Sequence, residues 1–160
     1  MAIEKVREHF KQWGREKDIL EFETSSATVE MAANVLGVEP SRIAKTLSFK
    51  TEDGAILIIA AGDARIDNSK YKARFQTKAK MLTPEEVLEY TGHAVGGVCP
   101  FGLATNLPVY ADISMKRFET VFPACGSSNS AIELTCGELL EYANCNEWVD
   151  VCKDWEETTL

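Results

Sequence analysis

The sequence is poor in the residues from which the commonest catalytic and metal centres are built. It has two histidines, His9 and His93, and five cysteines, Cys99, Cys125, Cys136, Cys145 and Cys152, with no Cys-x-x-Cys pair. A zinc site of ordinary spacing is not expected, and an odd set of free thiols fits a reducing compartment. No Gly-x-Ser-x-Gly elbow, His-Glu-x-x-His helix or Walker loop is present. The most apolar stretch, Ala55–Ala61, falls far short of the roughly 20 residues that span a bilayer. Met1–Phe10 is charged and helical in pattern, so no secretory leader is expected. These absences predict a cytoplasmic protein with no membrane partner, no metal and no cofactor. Repeats, linkers and low-complexity segments are missing too, and 160 residues amount to one domain, 1–160.

Hydrophobic residues at 45% suffice for an independent core at this length. A formal charge of −8 argues against a non-specific nucleic-acid coat, which needs a large positive field. The charge is uneven, however. Residues 1–80 hold 14 basic and 12 acidic side chains, whereas residues 81–160 hold 3 and 13. From Arg42 to Lys80 nine basic residues face four acidic ones. Such a run is either a solvated face or a docking surface for a polyanion, and composition leaves both open.

Ile3, Val6, Phe10 and Trp13 recur at helical spacing, predicting a helix over 2–16. A short strand is expected in Asp18–Glu23, and a helix in Ala27–Leu36 stopped by Gly37. Pro40–Ile43 reads as one helical turn. Ala44–Thr51 and Ala55–Ala61 flank an Asp-Gly turn and predict a hairpin. Asp67–Phe75 reads as helix, and Thr83-Pro84-Glu85-Glu86 as a capping box opening a helix that Gly92 ends. Strands are expected at Ala94–Val98 and Pro108–Ile113, then a pair at Val121–Ala124 and Ala131–Leu134. Thr135–Glu138 is a second capping box, and Glu147–Cys152 reads as a last strand. Helices and strands mix without regular alternation, which predicts the α+β class.

Three places could carry chemistry. Lys45 shares a strand face with Leu47 and Phe49, so its ammonium points to an apolar side and needs an anion or acceptor unless it snorkels to water. Gly96-Gly97-Val98-Cys99-Pro100-Phe101-Gly102 fixes an unusual backbone path, either a tight loop or one that a ligand approaches closely. Gly126-Ser127-Ser128-Asn129-Ser130 is a plain turn or a source of N–H and hydroxyl donors. A thiol–imidazole pair between Cys99 and His93 is not expected, and free cysteines are mostly small buried hydrophobes.

The order of these segments carries a resemblance. Arg-Ile-Ala-Lys-Thr-Leu, then Val-Gly-Gly-Val-Cys-Pro-Phe-Gly, then Phe-Pro-Ala-Cys-Gly-Ser-Ser-Asn-Ser-Ala-Ile-Glu-Leu before a capped helix resembles the YbaK family from about Thr28 to Val151. This is the aminoacyl-tRNA synthetase-associated editing domain, also found inserted in bacterial prolyl-tRNA synthetases and as free-standing ProX-type proteins. The resemblance implies a single α+β domain with a curved, mixed, mostly antiparallel sheet ringed by helices. It also implies a deacylase acting in trans on mischarged aminoacyl-tRNA, with tRNA-Pro carrying Cys, Ala or another small amino acid as the expected substrate. Lys45 falls on the family's essential lysine. Gly96, Gly97, Pro100 and Gly102 fall on its glycine–proline loop, and Gly126 and Ser127 on the second loop. Cys99 and Cys125 depart from it, since members often have Ser or Thr at the first and Gly at the second.

On this reading Lys45 is the catalytic residue, holding the terminal phosphate or the ester carbonyl. The loop residues Gly96, Gly97, Cys99, Pro100, Phe101, Gly102, Cys125, Gly126, Ser127 and Ser128 cradle the aminoacyl end, with Phe22, Met31 and Leu47 as pocket walls. Arg65, Lys70, Lys72, Arg74, Lys78 and Lys80 meet the acceptor end of the tRNA. An aminoacyl ester is already activated, so positioning and oxyanion stabilisation suffice, and one donor contributes about 100-fold or more in rate. Two other classes stand beside this one. The first is a non-catalytic tRNA- or nucleotide-binding module. The second is an accessory docked on a synthetase, prolyl-tRNA synthetase being one candidate partner, through acidic residues Glu138, Glu141, Glu147, Asp150, Asp154, Glu156 and Glu157.

Overall fold

Thr51 and Gly54 pair across the two-residue Glu52-Asp53 turn, and from that turn the chain builds its longest ladder, Ala44↔Ala61 to Thr51↔Gly54. A computed structural model describes residues 2–145 and 147–155. Among these, the helices are α1 (Ala2–Phe10), α2 (Val29–Leu36), α3 (Asn68–Phe75), α4 (Pro84–Thr91) and α5 (Cys136–Tyr142). The strands are β1 (Leu20–Glu21), β2 (Ile43–Thr51), β3 (Gly54–Ala61), β4 (Arg65–Ile66), β5 (Val109–Asp112), β6 (Thr120–Pro123), β7 (Ser130–Ala131), β8 (Leu134–Thr135), β9 (Glu147–Val149) and β10 (Cys152–Lys153).

Six strands form one sheet in the order β8-β6-β2-β3-β5-β9, and the pairs β1-β7 and β4-β10 stand beside it. The class is α+β, as expected, and the sheet is mixed. Its antiparallel pairing is concentrated in the β2–β3 hairpin and β6–β8, while β2–β6, β3–β5 and β5–β9 run parallel. The central position of β3 follows from its composition. Leu57, Ile58 and Ile59 are all fully buried, so both sheet faces are covered at this strand. Each such side chain contributes about 1.5–3 kcal/mol. No helix among the described residues is long and apolar enough to cross a membrane.

Both capping boxes form: the Thr83 and Thr135 side chains accept from Glu86 and Glu138 N–H, and each glutamate returns a bond to its cap. Four expectations are corrected. The first helix is α1 alone, because after Phe10 the chain tightens into a 3-10 turn that Gly14 ends in the left-handed region. Ala94–Val98 is a turn, not a strand: Gly97 N–H donates to Ala94 O, and Gly96 takes φ +101°. The expected pair at 121–124 and 131–134 divides, with β7 pairing β1 and β8 pairing β6. The expected last strand also divides, into β9 beside β5 and β10 beside β4.

Candidate active site

β2 is an interior strand for only part of its length. On its outer edge β6 pairs Ile43 and Ala44 alone. Further along, Lys50 N–H donates to Lys80 O and Leu82 N–H to Ser48 O, so residues 80–82 cover the far end. These bonds fix the alternation: even-numbered residues of β2 aim their main-chain groups away from β3. Between the two covered stretches, the N–H and C=O of Thr46 and the N–H of Ser48 meet a gap. A cavity of about 390 Å³ fills that gap. This size lies in the range of about 300–1,000 Å³ typical of small-molecule sites.

The cavity walls are largely apolar, with Val29 and Ala32 from α2, Leu82, Val87, Val98 and Phe122. Met81 and Val95 line it while 58% and 64% exposed, and so form its rim. Ser26, Thr28, Thr46, Ser48 and Ser130 supply polar groups. Thr46 Oγ1 is buried and has no hydrogen-bond partner among the described residues.

Lys45 stands on the cavity wall. Its ammonium donates to Gly62 O at 3.3 Å and to Ala64 O. Both acceptors are neutral, and no carboxylate lies at ion-pair distance among the described residues. Burial pulls the Lys45 ammonium below the usual lysine range, opposed by Cys152, Asp63 and Glu30 and aided by Arg65. The carbonyl pair is fixed from behind. Ala64 N–H closes a turn on Ala61 O at 3.0 Å, and Gly62 lies so close to Pro40 that a Cβ would stand 2.0 Å from its carbonyl oxygen. The arrangement presents a cation that is held but not neutralised, beside main-chain donors that face the cavity. It suits binding an anion or a polarised carbonyl.

Of the residues expected here from sequence, Lys45, Leu47 and Gly96 line the cavity. The two glycine loops do meet, since a Cβ on Gly97 would lie 2.7 Å from Ser127 N, but of their glycines only Gly96 lines the cavity. Gly102 and Gly126 abut the backbone of α1 at Lys5 and Ala2, so their missing side chains serve helix docking. Cys99, Phe101 and Cys125 are fully buried in the core, and burial pushes the Cys99 thiol up to about 12 and the Cys125 thiol well up. Neither cysteine lines the cavity. Pro100 is buried and faces a separate hollow with His9 and Asn144. Ser128 is exposed, and its carbonyl accepts from Ser26 N–H at 2.6 Å. Phe22 N–H donates to Asn129 O at 2.8 Å, and Met31 is 40% exposed on α2; neither lines the cavity.

His93 does not reach the cavity either. It is fully buried, and its Nε2–H donates to Phe101 O at 2.7 Å. The residues sequence reasoning missed are the carbonyl turn at Gly62–Ala64, the covering segment 80–82, and Thr46.

The basic segment is divided. Lys70 pairs with Asp150 and Arg74 with Glu147, which tie α3 to the C-terminal strands. Arg65 and Lys72 are exposed. Lys78 and Lys80 are exposed too and line a second cleft with Lys50 and Gln76, next to Met81 on the cavity rim. Much of the acidic set is likewise occupied: Glu138 pairs with Arg15, and Glu141 accepts from Trp13 Nε1. Glu156 and Glu157 lie outside the described residues.

The fold and cavity define a small α+β domain that carries a lysine on the wall of an apolar cavity. The chain belongs to the aminoacyl-tRNA editing domain family, whose model matches residues 23–142. It is 64% identical over 98% of its length to the whole of the uncharacterized protein YwhH of Bacillus subtilis strain 168. It is 37% identical over 90 residues, 56% of this chain, to the proline–tRNA ligase of Thermotoga neapolitana, and this match spans 15% of the ligase. A crystal structure described as a candidate trans-editing enzyme for prolyl tRNA synthetase superimposes with a TM-score of 0.86 at 31% identity, covering 95% of this chain and 97% of that one.

Proposed function

We propose that this protein hydrolyses, in trans, the ester that joins a wrong amino acid to tRNA, with tRNA-Pro carrying cysteine, alanine or another small amino acid as substrate. The observation that carries the reading is Lys45, an ammonium held by two neutral carbonyls on the wall of a small apolar cavity. Family membership and the match to part of a proline–tRNA ligase support it.

The aminoacyl end enters the gap along β2. Lys45 engages the terminal phosphate or the ester carbonyl, and Thr46 and Ser48 N–H face the same space and add donors for a developing oxyanion. The attacking group is water. Atoms balance simply: a new C–O bond forms at the carbonyl carbon, the tRNA ribose oxygen leaves with a proton, and a free amino acid results. The apolar walls select by size, and binding alone separates near-isosteres by only about 10–200-fold, which is why a second sieve after the synthetase is useful. Lys78, Lys80, Arg65 and Lys72 meet the acceptor end. Such a role lies with the tRNA pool of the cytoplasm and with prolyl-tRNA synthetase as partner.

The test is deacylation of tRNA-Pro charged separately with alanine, cysteine, serine and proline, by the wild type and by Lys45→Ala. The expected result is loss of one non-cognate ester, with prolyl-tRNA spared and the variant inactive. Survival of every ester, with prolyl-tRNA synthetase added, overturns the reading in favour of a binding module.

A further inference from the structure

The turn that holds Lys45 is itself gripped from outside the cavity. Asp63 stands between the two acceptor carbonyls, and its carboxylate takes a two-pronged bond from Arg117: Nη2 to Oδ1 at 2.5 Å and Nη1 to Oδ2 at 2.9 Å. Arg117 is anchored in turn. Its Nε donates to Ser114 O at 2.8 Å and its Nη1 to Trp155 O at 2.9 Å, with the Phe118 and Trp155 rings 4.8 and 5.2 Å from the guanidinium carbon. Ser114 belongs to the same support, since its Oγ accepts from Ala61 N–H at 3.1 Å, at the start of the turn. The guanidinium side chain is 18% exposed. A planar fork bound to both carboxylate oxygens fixes orientation as well as charge.

We infer that Arg117 is a positioning residue for Lys45: by clamping the Asp63 carboxylate it fixes the Gly62 and Ala64 carbonyls and keeps that carboxylate from capturing the ammonium. The inference rests on the reading of Lys45 as the acting cation. Asp63 is a charged neighbour of Lys45 on the same turn that supplies its acceptors. The other charged or titratable neighbours are Glu30 on α2, Arg65 on β4 and Cys152 on β10. With Arg117 removed, the freed carboxylate swings to Lys45 and draws the ammonium off the cavity wall. With Asp63 neutralised as well, there is nothing to draw it away.

The variants are Arg117→Gln, Asp63→Asn and their double, each checked for folding by circular dichroism and thermal melting; Arg117→Lys serves where the glutamine variant does not fold. The first readout needs no substrate. In protein labelled with carbon-13 at lysine Cε, the Lys45 resonance is identified by its loss in Lys45→Ala and titrated. Arg117→Gln moves its titration to higher pH, and adding Asp63→Asn moves it back. The second readout is turnover of whichever tRNA-Pro ester the wild type hydrolyses. Arg117→Gln lowers kcat at least 10-fold with KM within twofold, and the double variant recovers most of the loss. A merely structural arginine would leave the Lys45 titration unmoved, and Asp63→Asn would not rescue its loss. An unshifted Lys45 titration in folded Arg117→Gln overturns the inference while leaving Lys45 untouched. Full deacylation by Lys45→Ala overturns the reading beneath it, whatever the titration shows.

Discussion

The Cys99 sulfur lies 3.6 Å from His93 Nε2, yet that nitrogen already carries the proton it donates to Phe101 O, and the thiol turns toward the same carbonyl at 3.7 Å. The imidazole cannot accept the thiol proton in this arrangement. With both groups fully buried, the contact is core packing with the outline of a catalytic pair.

Native protein is therefore expected to resist iodoacetamide at Cys99 and Cys125 at pH 8 and to label at both in denaturant, read by peptide mass spectrometry. Cys99→Ala keeps deacylation within about threefold. Rapid native labelling at Cys99 coupled to loss of activity would overturn this assignment in favour of a thiol mechanism.

His93 makes stability depend on pH. Burial lowers its pKa below the ordinary 6.5, countered by the Phe101 bond and aided by Lys5, while Nδ1 is buried without a partner among the described residues. Below 6.5 the unfolded chain takes up a proton that the folded protein refuses, so stability falls as pH drops through that value until the folded group titrates. His93→Gln, which keeps an N–H for Phe101, should remove this slope. Melting temperatures measured from pH 7.5 to 5 check it, and parallel curves for the two proteins would count against it.

Gly62→Ala tests the carbonyl turn directly. Its Cβ would meet Pro40 O at 2.0 Å and Val29 Cγ1 at 2.7 Å, so backbone must move. Overpacking of this kind costs about 1–3 kcal/mol, measurable by urea unfolding. Because the displaced carbonyl is one of the two that hold Lys45, deacylation should fall by more than the change in folded fraction.

Within the basic segment the expected effects are unequal. Lys78→Ala and Lys80→Ala should each weaken tRNA binding and flatten its dependence on salt by up to about one unit of log–log slope, as for one phosphate contact. Lys70→Ala and Arg74→Ala should change that slope less, since Asp150 and Glu147 already take up their charge. Filter-binding isotherms over a salt series separate the two groups. Equal slopes for all four variants would sink the division.

How legible these features were in the sequence depends on their range. Thr83 and Thr135 cap helices through bonds spanning three residues, and Glu52-Asp53, followed by Gly54, closes its hairpin locally; both are readable from neighbours alone. Lys45 could be singled out by its place in an apolar strand. Its acceptors could not, because Gly62 and Ala64 reach it only when β3 folds back across β2. The glycines misled for a related reason. Gly102 and Gly126 do permit close backbone approach, but what approaches is α1, an element from the far end of the chain. No local pattern distinguishes a glycine cleared for a helix from one cleared for a ligand.

The gap in β2 has a further consequence. A strand edge with free main-chain groups is a template on which another chain can add, and sheets usually guard against such recruitment. Here the guard is brevity. From Thr46 to Ser48 the open stretch is too short to seat a foreign strand, with β6 ending on one side and residues 80–82 beginning on the other. The domain can leave its central sheet unfinished at the point of use without becoming a seed for aggregation. Lengthening the gap, by detaching 80–82 from Ser48 and Lys50, would remove that protection before it unfolded the core.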